Sequence, residues 1–153
     1  MNKFKGTLLN LFFLAAGVVI GGYLFAQSQP RSFLSITRCL NCMSTPDLLG
    51  LLASVGINRV PGLIPSVVFE TDRTIVVINP FQKAYVDYVI FPKKDIKNIG
   101  EISQEDTPYL TDVYLVARHI IEERKLFNYR LLTNGPGFQD VTYLHFHLIA
   151  LPI

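Results

Sequence analysis

The chain has little of what marks several protein classes. Tryptophan is absent, and only two cysteines occur in 153 residues, which excludes a small fold held by a disulfide framework. The formal net charge is only +2, so composition makes no case for nucleic acid as a partner. No internal repeat and no low-complexity segment is present. What remains is room for one domain of roughly 100–120 residues plus an extension. Half the residues are hydrophobic, high for a soluble protein, and the excess has one source near the N-terminus.

That source is the run from Thr7 to Ala26, which carries no charge. A helix of about 20 apolar residues is long enough to span a bilayer. Gly17, Gly21 and Gly22 suit a membrane span better than a soluble helix. The run is longer than the apolar core of a cleaved signal peptide, and Leu24-Phe25-Ala26-Gln27 lacks the small residue expected three before a cut. A retained anchor over residues 1–26 is therefore preferred to a signal segment. Lys3 and Lys5 favour an N-terminus inside, which would put the domain outside the cytoplasm, but Arg31 and Arg38 at the other end blunt that argument. Residues 27–37, broken by Pro30, read as a linker, and 38–153 as the globular domain.

Along the domain, Cys39 and Cys42 form a C-x-x-C that fits a local disulfide, two thiols or half a zinc site. Ser44-Thr45-Pro46-Asp47 opens a helix with an apolar stripe at Leu48, Leu49, Leu51, Leu52 and Val55 that stops at Gly56. This helix covers a sheet edge or lies against a membrane. Ser66–Glu70 and Thr74–Ile78 read as a hairpin around Thr71-Asp72-Arg73. Phe81 to Asp87 is a loop, Tyr88 to Phe91 a strand, and Pro92-Lys93-Lys94 its end. A long helix is expected over Thr107–Phe127, capped by Thr107 and Pro108, with Leu110, Val113, Ala117, Ile120 and Ile121 buried. His119 beside that stripe reads as structural or surface. Tyr129–Thr133 is the next strand.

The segment Asn134–Ala150, NGPGFQDVTYLHFHLIA, carries the chemistry. In an extended chain, Val141, Tyr143, His145, His147 and Ile149 share one face, while Thr142, Leu144, Phe146, Leu148 and Ala150 point to the core. Two imidazoles then stand about 7 Å apart, close enough to act on one phosphate-sized group. Gly135-Pro136-Gly137 before them can aim backbone N–H groups at an anion. Two duller readings compete. The histidines face solvent on an edge strand without a role, or they are two ligands of a metal that needs a third from His119, Asp87, Asp95 or Asp140.

Tyr143-Leu144-His145-Phe146-His147-Leu148-Ile149 resembles the signature of the histidine-triad (HIT) family, with Tyr143 in place of the first histidine. Asn134 and Gln139 match the family's upstream residues, and Pro92-Lys93-Lys94 matches a family turn. The resemblance implies an α+β fold: an antiparallel sheet of about five strands with one long helix packed on it, here with an N-terminal transmembrane helix. It implies nucleotide phosphohydrolysis or nucleotidyl transfer through a phosphohistidine on His145. His147 and Gln139 would stabilise charge, and Asn134, Gly137, Asp140 and Tyr143 would surround the substrate. A backbone carbonyl, for which the glycine loop is the candidate, would fix the tautomer of His145.

The resemblance also sets departures. The ribose-binding acid falls on Val77 or Asn79, so no such acid can be named. The histidines that complete a zinc site with the C-x-x-C fall on Asp87 and Asp95, which argues against zinc; no other cofactor is implied. Implied partners are a small nucleotide or phosphate-ester substrate, a membrane, and a second copy paired through the long helix. Two alternatives stand beside a nucleotide hydrolase: a hydrolase of lipid-linked pyrophosphates, such as CDP-diacylglycerol, and a non-catalytic module that binds nucleotide or protein.

Overall fold

The computed structural model describes residues 2–29, 44–81 and 84–151. Cys39, Cys42 and most of the expected linker lie outside the described residues. The elements are α1 (Asn2–Phe25), α2 (Thr45–Arg59), β1 (Val67–Glu70), β2 (Thr74–Ile78), β3 (Val86–Pro92), α3 (Thr107–Glu123), β4 (Tyr129–Leu132) and β5 (Phe146–Ala150). The strands form one antiparallel sheet in the order β1-β2-β3-β5-β4, so the α+β expectation holds.

The two faces of this sheet follow from the period-2 alternation of strands. On one face, Val76, Tyr88, Ile90, Phe146, Leu148 and Ala150 meet Val113, Val116, Ala117 and Ile120 of α3 in a continuous apolar core. Burying each valine, leucine, isoleucine or phenylalanine of this layer contributes about 1.5–3 kcal/mol. The alternation expected for β5 is observed: Phe146, Leu148 and Ala150 are buried, and His147 and Ile149 are half-buried. The helix α3 ends at Glu123, one turn earlier than expected, and Lys125 takes a left-handed φ of 51° just beyond it. Its first turn follows a capping box in which Ser103 and Asp106 bond reciprocally.

The second face carries a smaller cluster. Ile57 of α2 packs with Ile75 and Tyr143, and Ala53, Ile64, Val67 and Phe91 close around them. Thus α2 covers this face of the sheet rather than only an edge. It runs through Gly56 to Arg59, since stopping at the glycine would withdraw Ile57 from the cluster. Ser44 caps it, accepting from the Asp47 N–H at 3.3 Å. Gly50 permits a close approach: a Cβ there would stand 2.6 Å from the carbonyl oxygen of Thr142. Thr142 donates from its N–H (3.0 Å) and its hydroxyl (3.2 Å) to the carbonyl of Pro46. The start of α2 is therefore fastened to the segment that leads into the histidines.

The other end of α2 holds α1. The Ser28 and Ser54 hydroxyls lie 2.9 Å apart, and the Arg59 guanidinium sits 4.4 Å from the Tyr23 ring centre. The Gln29 N–H donates to Asp95 Oδ2 at 2.7 Å, so the first residues of the expected linker dock on the domain. Within α1, Gly6–Phe25 is long and apolar enough to cross a membrane, and none of it is buried. A signal sequence meets the same length and composition.

Candidate active site

Sheet register places the site. In β3, Val89 stands opposite His147, and in β2, Val77 stands opposite Val89. Ile75 stands opposite Phe91 in the next row. His147, Val89, Val77, Phe91 and Ile75 therefore share the second face, the one that α2 partly covers. His145 continues the row of Ile75 and Phe91: its ring centre is 5.5 Å from that of Phe91 and 5.0 Å from that of His147, nearly perpendicular to the latter. The pair expected about 7 Å apart is thus in edge-to-face contact.

The shorter spacing comes from the backbone before β5. The ladder begins only at Phe146, because the Leu144 N–H donates to the carbonyl of Ile96 (2.6 Å) and the Tyr143 N–H to that of Val141 (2.8 Å). This bend turns the Tyr143 carbonyl onto Nδ1 of His145 at 2.7 Å. A carbonyl can only accept, so Nδ1 carries the proton, and the neutral ring presents the lone pair of Nε2. The tautomer-fixing acceptor is therefore Tyr143 O and not, as expected, a carbonyl of the glycine loop. Thr133 Oγ1 donates to the His145 carbonyl at 2.7 Å and ties the histidine to the end of β4.

Burial lowers the pKa of His145 below its ordinary value; the Tyr143 carbonyl opposes this, His147 adds to it, and Asp140 opposes it weakly. Burial also lowers that of His147, against the charge of Asp87. Both rings are neutral at pH 7 in the unliganded protein. His145 is 7% exposed, while His147 is half-buried and more open to a ligand.

The remaining expected residues divide. Tyr143 is fully buried in the second cluster, and its hydroxyl donates to the carbonyl of Pro92 at 2.8 Å. The phenol therefore braces the end of β3 rather than facing a substrate. Gln139 is buried, and its amide donates to the Lys97 carbonyl at 3.3 Å, so it anchors the loop rather than pointing a donor at an anion. Asp140 is exposed and Asn134 half-buried. Around Gly137 the loop forms a 3-10 turn, Pro136–Phe138, in which the Phe138 N–H is taken by the Gly135 carbonyl and Pro136 has none to offer. Neither loop glycine has a positive φ, so the turn is not built on glycine freedom. His119 is half-exposed, 5.0 Å from the Phe69 ring on the α3 side, as a surface residue.

Of two neighbours of the histidines, Phe91 was not read from the sequence, and Asp87 was weighed only as a metal ligand. Phe91 packs against His145, and Asp87 supplies the charge felt by His147. Their odd numbering in β3, shared with Val89, was the available signal. Among the described residues, no three His, Cys, Asp or Glu side chains cluster as a metal site requires. Asp95 accepts from the Gln29 N–H, and Asp87 Oδ1 accepts from Asn79 Nδ2 at 3.0 Å.

Two concavities lie on the sheet without either histidine in their lining. One, about 290 Å³, is an apolar groove between α2 and β2 with Phe91 among its walls. The other, about 560 Å³, lies at the β4 edge against Leu132, Arg130 and Ile149, and Leu132 is the register partner of His147.

Comparison with known proteins agrees with this geometry. A family model described as "Scavenger mRNA decapping enzyme C-term binding" matches residues 64–153, more than half of the chain. An uncharacterized HIT-like protein of Chlamydia trachomatis is 34% identical over 89 residues, covering 54% of this chain and 78% of the relative. A solved HIT family hydrolase from Clostridium thermocellum superposes with a TM-score of 0.57 at 30% identity, over 63% of this chain and 88% of its own. A histidine triad protein from Clostridium difficile, at 22% identity and a TM-score of 0.57, shares the fold over 72% of this chain and 95% of its own. The chain belongs to the histidine-triad (HIT) family.

Proposed function

We propose that the chain is a HIT-type phosphohydrolase or nucleotidyl transferase whose nucleophile is His145, tethered to a membrane through α1. One observation carries the reading: the Nδ1–H of His145 is committed to the Tyr143 carbonyl, which leaves Nε2 as a lone pair beside a second imidazole. A neutral imidazole of depressed pKa is a competent nucleophile at pH 7.

In the first step Nε2 attacks phosphorus, the N–P bond forms, and the P–O or P–N bond to the leaving group breaks. The leaving group departs with its electron pair and takes a proton. His147 is placed to carry that proton: an anion at the site raises its affinity for one, and Asp87 already favours its charged form. In the second step water adds to phosphorus and passes a proton to the now neutral His147, the N–P bond breaks, and the lone pair returns to Nε2. Dividing one displacement into two is the gain of covalent catalysis. Protonated His147 would also stabilise charge on the non-bridging oxygens.

The test is turnover of an adenosine phosphoramidate and a dinucleoside polyphosphate by the wild-type chain and by His145→Ala. The wild type should accumulate a nucleotidylated peptide containing His145 on acid-free quenching, and His145→Ala should lose about 10³-fold or more in rate with the fold intact by circular dichroism. Unchanged turnover in the variant removes the assignment. Recovery of an intact N-terminal peptide in the membrane fraction tests the tether.

A further inference from the structure

We infer that Arg130 holds the anionic oxygens of the leaving group, and that it is the residue by which the site prefers a phosphoric anhydride to a phosphoramidate. This rests on the phosphohydrolase reading for the chemistry, while the place of the guanidinium on the sheet is independent of it.

Register joins Arg130 to the imidazoles. Ile149, two residues past His147 and on its face, has Asp87 of β3 opposite it on one side and Arg130 of β4 on the other. Arg130 is thus the diagonal neighbour of His147, roughly 7–8 Å away at the backbone and within reach of a long side chain. In β3, β5 and β4, the strands that carry and flank the pair, Arg130 is the one fixed cation and Asp87 the one carboxylate. The lysines just past β3 are committed elsewhere, Lys93 to Glu70 and Lys94 to Asp106.

Other donors near the site are also engaged. The Gln139 amide donates to the Lys97 carbonyl, the Tyr143 phenol to that of Pro92, and the Phe138 N–H to that of Gly135. Arg130 is exposed, and among the described residues its guanidinium has no hydrogen-bond, ion-pair or ring partner. It lines the hollow of about 560 Å³ at the β4 edge, so a group held by it has room to extend. The row Asp87-Ile149-Arg130 spans roughly 10 Å across two strand spacings and carries opposite charges at its ends. A leaving group with negative charge is therefore drawn toward β4 and away from β3. The planar guanidinium takes two phosphate oxygens at once, whereas a departing amine offers this donor-only group no anionic oxygen. The competing role is that a charge on edge strand β4 only guards the open edge.

The readout is the ratio of kcat/KM for a dinucleoside polyphosphate to that for an adenosine phosphoramidate, measured on the full chain in phosphatidylcholine nanodiscs. Arg130→Gln should lower this ratio about 10–100-fold, the size of a lost charge-assisted pair. Arg130→Lys, which keeps the charge and loses the fork, should fall between. Arg118→Gln, the same charge change on the outside of α3, should leave the ratio where it was. An unchanged ratio in Arg130→Gln, an equal loss on both substrates, or wild-type turnover of the phosphoramidate alone overturns the inference. An edge-guarding arginine gives that unchanged ratio together with lower solubility. A second arm needs no turnover: the full-length His145→Ala chain is titrated with inorganic pyrophosphate and with inorganic phosphate. Pyrophosphate should bind more tightly, and adding Arg130→Gln should erase the difference; equal binding before that change counts against the inference. Arg130-dependent pyrophosphate binding in a chain whose wild type turns over neither substrate sinks the nucleophile and leaves Arg130 standing. Turnover of both substrates at the wild-type ratio by Arg130→Gln does the reverse.

Discussion

The two faces of one sheet differ in what they bury. The α3 face is a closed apolar layer in which Phe146, Leu148, Ala150 and Ile90 meet Val113, Val116 and Ile120. The buried cluster of the α2 face is smaller, with Ile57, Ile75 and Tyr143 at its centre, and beyond it this face holds two imidazoles, a carboxylate and an open groove. One face supplies stability and the other spends part of its area on groups that solvate better than they pack. The segment 141–145 leaves the ladder on the second face, and that departure is what orients the His145 ring.

Mutations can break this contrast. The largest effect is expected from Leu148→Ala, which removes a fully buried side chain from the α3 layer and should cost about 2–5 kcal/mol in urea unfolding. The arrangement of the imidazole pair should persist in whatever remains folded, and selective loss of histidine contacts at full stability would contradict the division of labour. Next is Gly50→Ala. Its Cβ meets the backbone of Thr142, so overpacking of about 1–3 kcal/mol is expected, with the strain on the strand-entry segment. Turnover should fall by more than the stability loss explains; unaltered kinetics would show that α2 does not set the histidine geometry.

Acidification sharpens the same contrast. Burial depresses the pKa of His145 and His147, so the unfolded chain binds more protons once pH drops below the ordinary value of 6.5. Their contribution to stability is complete above that pH and is lost as pH falls through the depressed folded-state values. The denaturation midpoint should decline from pH 7 toward pH 5, and His145→Gln should flatten the decline; an equal slope in the variant refutes the linkage. The smallest effect belongs to Arg59→Ala, which removes a cation–π contact worth about 0.5–1 kcal/mol and should loosen α1 without altering the sheet. Hydrogen exchange at Tyr23 and Ser54, compared with β3, measures it.

Much of this was readable beforehand because period and breaker residues decide it. Thr74–Ile78 is a strand as expected, α3 begins at Thr107, and the parity of Phe146, Leu148 and Ala150 put them in the core. What stayed hidden depends on contacts between distant segments. The Ile96 carbonyl takes the Leu144 N–H, so the ladder starts late, and no local pattern announces that. The placement of Phe91 and Asp87 beside the histidines needed the β3–β5 register. Tyr143 occupies a triad position in the motif, yet its phenol is spent on Pro92 because the same bend that frees its carbonyl drives its ring inward.

The 15-residue helix α2 is about 22 Å long and is clamped at both extremities. Its Pro46 end grips Thr142, just ahead of His145, and its Arg59 end grips the Tyr23 ring of α1. Such a rod resists bending, so it works as a lever: a tilt of the N-terminal helix is passed on to the segment ahead of His145 rather than being absorbed on the way.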